Sequence, residues 1–207
     1  MLILCDFDGT ITLSDVTNLI WDHFTGRGWR DELLPPYARG EISHLDIMVT
    51  GFKAVSTPEA EMLAYAKANI AIRPGFDELR AFCAEKGWPF YVVSGGIDTY
   101  IKAFLPPEIQ FFSYHAELDG YWKVTLPGGV TLAEGQDFKV YVLEKLRQEH
   151  PGMEMVFIGD GRNDLPVSLH ADRIFVVKDT RLGRLLSDKG IAFTEFTNFA
   201  EVVGGLK

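Results

Sequence analysis

The sequence predicts an α/β fold, a doubly wound, mostly parallel sheet with a helical insertion after its first strand. Three observations lead there. Short apolar runs of strand length recur along the chain, each closed by Gly, Ser or Asp within a residue or two. Stretches with apolar residues at helical spacing lie between them, and strand–helix alternation of this kind builds a parallel sheet with helices on both faces. The long segment from residue 13 to 71 carries helical patterns and no strand.

The elements follow in order. Leu2–Phe7 is the first buried strand, and its run of apolar residues suits burial on both faces. "DVTNLIWDHFTG" and "TPEAEMLAYAKANI" read as helices of the insertion, with Pro35–Pro36 as a turn between them. "GFDELRAFCAEKG" spaces Phe76, Leu79, Phe82 and Cys83 along one helical face and stops at Gly87. Pro89–Ser94 is the second buried strand. Alternation around Asp119–Gly120 in "FFSYHAELDGYWKVTLPGG" marks a β-hairpin. "DFKVYVLEKLRQEH" is a helix with Val140, Leu143 and Leu146 on one side. Met155–Gly159 and Arg173–Val177 complete the buried strands, and "LPVSLHAD" and "RLGRLLSDKG" are short helices. The expected organisation is a Rossmann-like core of residues 1–12 and 72–207, with residues 13–71 as a small helical cap.

At 207 residues, 47% of them hydrophobic, the chain can bury a sizeable core. A net charge of −9 weighs against nucleic acid and anionic membranes as partners. No apolar run reaches transmembrane length. Two cysteines, Cys5 and Cys83, are too few for a disulfide framework and suit a reduced, cytoplasmic protein.

Open α/β sheets build their sites at the carboxyl ends of strands. The first strand ends in Asp6-Phe7-Asp8-Gly9-Thr10, the second in Ser94-Gly95-Gly96, and a third in Gly159-Asp160-Gly161-Arg162-Asn163-Asp164. Lys139 begins the helix before that third strand. Four carboxylates cannot all ionise in one cleft without cations. Lys139 supplies one charge, and a hard divalent ion such as Mg²⁺, bound through oxygens, would supply more. A Ser-Gly-Gly turn offers backbone N–H groups to a phosphate. Metal, phosphate donors and carboxylates together point to phosphoryl transfer, with a carboxylate as nucleophile. Other motifs fail. The spacing after Asp6 does not make an EF-hand, there is no P-loop, and neither Cys5 nor Cys83 has an Arg six residues on. The five histidines show no paired metal spacing.

These four motifs, in this order, resemble those of the haloacid dehalogenase-like phosphatase superfamily. The resemblance implies Asp6 as the nucleophile that becomes an aspartyl-phosphate, and Asp8 as general acid and then general base. It implies Mg²⁺ held by the side chains of Asp6 and Asp160 and the backbone carbonyl of Asp8. Phosphate would be bound by Ser94 and the backbone N–H of Gly95, with Asn163 in reach. Lys139 would offset charge on the nucleophile and phosphoryl group, and Asp164 would orient Lys139 or the metal's water shell. The helical insertion resembles the cap of the phosphoserine-phosphatase-like branch. In that branch Asp15 marks the cap–core junction, with a substrate contact or a helix N-cap as its two readings. The branch's cap arginine for a substrate carboxylate falls, by ungapped count from the Arg39–Ser43 turn, on Gly51.

"CDFDGT", "PFYVVSGGIDTYI" and "IAFTEFTNF" are similar to the methionine-salvage phosphatases that act on 2-hydroxy-3-keto-5-methylthiopentenyl-1-phosphate. That likeness implies a small phosphorylated metabolite as substrate. Trp21, Phe24, Trp29 and Phe52 are then candidates to contact an apolar tail, or simply to pack cap against core. Two alternatives stand beside this reading: a phosphatase for phosphoserine or another small metabolite, and a non-catalytic phosphate-binding module on the same fold.

Overall fold

A computed structural model describes residues 1–207. Its centre is a seven-stranded sheet in the order β4-β3-β2-β1-β5-β6-β7, parallel except for β4. The first strand, β1 (Leu2–Cys5), lies in the middle, with β2 (Phe90–Ile97) on one side and β5 (Met155–Gly159) on the other. All four residues of β1 are fully buried, which is why the run is apolar at every position rather than alternating. Each such side chain contributes about 1.5–3 kcal/mol by leaving water.

β1 is shorter than the apolar run suggested. It stops at Cys5, and Phe7–Ile11 forms an irregular helical turn in which Gly9 takes the left-handed region at φ 80°. β2 is longer than expected and carries the Ser-Gly-Gly segment inside it, with a register shift between Val93 and Ile97 where it pairs with β3 (Gln110–Asp119). β3 turns at Gly120 into β4 (Tyr121–Thr125), the hairpin the alternation indicated. β6 (Arg173–Val177) and the three-residue β7 (Thr194–Phe196) finish the other edge.

Four helices, not two, fill residues 13–71. They are α1 (Val16–Phe24), α2 (Trp29–Arg39), α3 (His44–Lys53) and α4 (Glu59–Asn69). The Pro35–Pro36 turn is not there, because both prolines lie inside α2. A proline inside a helix frees the carbonyl four residues back. In α2 only Trp29 is buried, and the freed carbonyls belong to Asp31 and Glu32, both exposed, so water can take them. The helix ends instead at Gly40 (φ 75°), where Glu41 N–H donates to the Pro36 carbonyl at 3.0 Å. α3 begins with a capping box between Ser43 and Asp46.

The remaining helices are α5 (Phe76–Lys86), α6 (Asp98–Phe104), α7 (Phe138–Glu149), α8 (Leu165–Ser168), α9 (Arg181–Asp188) and α10 (Phe199–Leu206). α7 starts where Asp137 accepts from the N–H groups of Lys139 and Val140, at 2.8 and 3.1 Å. One continuous core joins Trp21, Met48 and Phe52 of the inserted helices to Leu4 and Val92 of the sheet. Trp122 of β4 ties the two parts, its backbone N–H donating to Val55 O and its indole N–H to Thr57 O. No helix is long and apolar enough to cross a membrane.

Candidate active site

The order β2-β1-β5 brings three strand ends together at the point where the chain winds first to one side of β1 and then to the other, the crevice where open sheets place their ligands. Asp6 N–H still donates to Ile158 O at 2.8 Å, so the carboxylate leaves β1 in sheet register. The turn that follows has little freedom. A Cβ on Gly9 would stand 2.5 Å from Asp160 Oδ2. Thr10 Oγ1 donates to Asp160 Oδ1 at 3.0 Å.

Arg73 clamps this turn from behind. Its guanidinium donates to the carbonyls of Thr10 (2.7 Å), Gly9 (2.8 Å) and Thr197 (3.1 Å). It is nearly buried and makes no ion pair with a carboxylate. Sequence reasoning missed Arg73, since a single Arg in "IAIRPGF" carries no local signal of a partner more than sixty residues away.

Lys139, in the first turn of α7, is buried with its Nζ 2.5 Å from both Asp6 Oδ1 and Asp164 Oδ1. Burial opposes its charge, but Asp164 and Asp6 outweigh that and hold the ammonium above its ordinary range. Asp164 Oδ2 accepts from the N–H groups of Asp160 (2.9 Å) and Gly161 (2.8 Å). Both oxygens of Asp164 are therefore committed. Oxygens of Asp6, Asp160 and Asp164 lie within 4.8 Å of one another. One ammonium does not balance this cluster. Burial first, then Asp164, pushes Asp6 up to about 7 against the pull of Lys139. Burial, Asp6 and Asp164 raise Asp160 well above the carboxylate range. An all-oxygen donor set with surplus negative charge fits a hard divalent cation, with Asp6 and Asp160 the residues able to turn an oxygen to it.

Asp8 faces the other way, out of that cluster. Its Oδ1 accepts from Val16 N–H at 2.9 Å, and its Oδ2 from Tyr100 OH (2.8 Å) and Ser94 Oγ (3.1 Å). Burial, then the nearby Asp15, raises Asp8 to about 7. Thr17 Oγ1 lies 2.8 Å from Tyr100 OH. Gly96 makes this possible, because a Cβ there would sit 1.7 Å from the phenol oxygen. Tyr100 is a second residue the sequence did not reveal. Ser94 is fully buried, and its Oγ also accepts from Gly96 N–H at 2.8 Å.

Above these groups is a cavity of about 350 Å³. Asp6, Asp8, Gly95, Gly96 and Asn163 open onto it from the sheet side, while Ser94, Lys139, Asp160 and Asp164 stand behind that surface. The inserted helices close it with Trp21, Trp29, Leu34, Tyr37, Ile47 and Met48. Phe24 and Phe52 are packing residues outside the lining. Asp15 caps α1, its Oδ1 accepting from Asn18 N–H at 2.7 Å, and it also lines the cavity. Burial raises it to about 6. His44 rests against Gly95, where a Cβ would meet the imidazole at 2.3 Å, and burial with Lys139 lowers it to about 4.

A strand-end carboxylate pair, a buried lysine and a half-open cavity at the switch point of a parallel sheet fit a hydrolase of the phosphatase type. The haloacid dehalogenase-like hydrolase family matches residues 3–168, and this chain belongs to that family. Pdp3-interacting factor 1 of Schizosaccharomyces pombe is 26% identical over 213 residues, covering 98% of this chain and 93% of the relative. The 2-hydroxy-3-keto-5-methylthiopentenyl-1-phosphate phosphatase of Geobacillus kaustophilus is 29% identical over 220 residues, covering 100% and 96%. Among solved structures, a phospho-aspartyl intermediate analogue of phosphoserine phosphatase superposes with a TM-score of 0.76 at 21% identity, covering 100% of this chain and 98% of that one.

Proposed function

We propose that this chain is a Mg²⁺-dependent phosphomonoesterase that acts through an aspartyl-phosphate on a small phosphorylated metabolite, with residues 13–71 as a cap over the site. The single observation that carries the reading is the placement of Asp6, held at one oxygen by Lys139 and lining, with Asp8, the cavity beneath the inserted helices. Asp6 attacks phosphorus, and the ester oxygen leaves with a proton from Asp8. Water then attacks the aspartyl-phosphate, Asp8 takes its proton, and phosphate departs. Asp8 at about 7 is suited to both transfers near neutral pH. Lys139 compensates charge on Asp6 and the phosphoryl oxygens, and Asp164 fixes Lys139 in place. The Gly95 N–H and Asn163, which line the cavity, bind phosphate oxygens, and Ser94 joins them only by turning its hydroxyl away from Asp8. Mg²⁺, held by Asp6, Asp160 and the Asp8 carbonyl, would neutralise the transferring group.

For the substrate, 2-hydroxy-3-keto-5-methylthiopentenyl-1-phosphate fits best. The Geobacillus relative supports it, and so do the tryptophans of the cavity roof. Phosphoserine fits less well, because Gly51 presents no side chain and Lys53 does not reach the cavity. The buried free thiols of Cys5 and Cys83 suit a reducing, cytoplasmic setting. The test is hydrolysis of p-nitrophenyl phosphate. Activity that requires Mg²⁺ and falls at least a thousandfold in Asp6→Asn supports the reading. Equal activity in that variant removes it, and phosphate binding with no turnover of any ester favours the binding module.

A further inference from the structure

Every arginine of this chain but one pairs with a carboxylate or donates to a backbone carbonyl. The exception is Arg181, the first residue of α9. Its side chain has no partner, it is exposed, and it lines the cavity that Asp6 and Asp8 share. An unpaired arginine on an open surface is ordinary, but this one forms part of the site's wall.

The backbone beneath it is fixed. The turn between β6 and α9 passes through Asp179 at φ 62°, the one residue other than glycine in the left-handed region. Side chains are disfavoured there, and Asp is among those that tolerate it. Thr180 Oγ1 donates to Val177 O at 2.6 Å, and the Arg184 guanidinium to Asp179 O at 3.1 Å. Leu182 N–H donates to Asp160 O at 2.9 Å, which ties the start of α9 to the strand end carrying Asp160. A held backbone thus presents a free guanidinium at the edge of the site.

The charges of the lining give that guanidinium a task. Asp6, Asp8 and Asp15 present carboxyls to the cavity. The Lys139 ammonium stands behind that surface, shared between Asp6 and Asp164. Burial and Lys139 keep His44 neutral. Arg162 is engaged, donating to the Ala38 carbonyl at 2.8 Å and lying over the Tyr37 ring. Arg181 is the free cation of the wall. A phosphate dianion approaching these carboxyls, in a chain of net charge −9, is repelled until a cation takes it. A guanidinium suits it, because its planar fork donates to two phosphate oxygens at once.

We infer that Arg181 is the anion-capture residue of this site, binding the phosphate of the incoming ester at the cavity mouth and inorganic phosphate again as it leaves. The group it reads is the phosphate dianion itself, whatever the rest of the ester carries. This rests on the phosphomonoesterase reading above and adds a binding residue to it. No covalent bond forms or breaks at Arg181.

Two measurements test it on the wild-type chain, Arg181→Gln and Arg181→Lys. The first is hydrolysis of p-nitrophenyl phosphate, methyl phosphate and O-phosphoserine with Mg²⁺, at low and high salt. The second is calorimetric titration of inorganic phosphate into the Mg²⁺-loaded proteins, which needs no turnover. Arg181→Gln should raise KM for all three esters by one common factor of about tenfold, with kcat changed by less than about twofold. It should weaken phosphate binding to a similar degree and flatten the fall of kcat/KM with salt. Arg181→Lys should restore the salt dependence and part of the affinity, since it keeps the charge and loses the fork. The position is exposed, so both variants should unfold at the wild-type midpoint. Turnover with KM and phosphate affinity unmoved in Arg181→Gln overturns the inference and leaves the phosphatase reading standing. A loss confined to O-phosphoserine also overturns it, because Arg181 would then read a charged tail. Failure of the wild-type chain to bind phosphate overturns it as well. Phosphate binding weakened in Arg181→Gln, without turnover of any ester, upholds the inference and overturns the phosphatase reading.

Discussion

At the scale of single residues, the site is a problem of charge, and Lys139 is its hinge. Replacing it by Met leaves Asp6 and Asp164 buried without their cation, and breaking a buried pair in this way costs about 3–5 kcal/mol. Denaturant unfolding at pH 7 should show that loss, together with a fall in kcat of at least about a hundredfold. The raised carboxyls carry a second prediction. With Asp6 and Asp8 at about 7 and Asp15 at about 6, the folded protein holds protons that the unfolded chain releases near pH 4. Their contribution to stability is present below pH 4 and is lost as pH rises to 7. Mg²⁺ relieves the same repulsion, so the gain in melting temperature on adding Mg²⁺ should grow from pH 5 to pH 8. A constant gain would mean that these carboxyls do not meet the ion. Residue-scale reading was strong where chemistry is local. Aspartates directly after buried strands were visible as a site because a strand end rarely needs two of them. Tyr100 and Arg73 were invisible, because a phenol on Asp8 and a guanidinium on Gly9 exist only once distant segments pack.

At the scale of elements, the turn after β1 is the critical piece. Gly9 combines a left-handed φ with the close approach of Asp160. Gly9→Ala should lower kcat far more than it lowers stability, because it displaces Asp160 while leaving the core intact. Arg73→Met strips three carbonyls of their donor and should cost about 1–3 kcal/mol in urea unfolding. α2 shows where element reading failed. Pro35–Pro36 reads as a breaker by local rules, yet this exposed helix lets water take the freed carbonyls, and the real stop is Gly40. β7 went unread for the opposite reason: three residues carry no period, and only pairing with β6 makes them a strand.

At the scale of the whole molecule, the sheet order was implicit in the alternation of strands and helices, and the convergence of Asp6, Ser94 and Asp160 followed from it. What alternation could not supply is the seam between the inserted helices and the hairpin, where Trp122 joins a core that runs through both. Urea unfolding should therefore be a single transition, coincident by tryptophan fluorescence and far-ultraviolet dichroism. Trp122→Ala should lower stability by about 3–5 kcal/mol. The central claim is that Asp6 carries the phosphoryl group. It is tested most directly by acid-quenching the protein during turnover of p-nitrophenyl phosphate with Mg²⁺ and mapping its peptides by mass. The account predicts a phosphoryl increment on the peptide containing Asp6, discharged by hydroxylamine and absent from Asp6→Asn. Full turnover with the increment on another residue would contradict it.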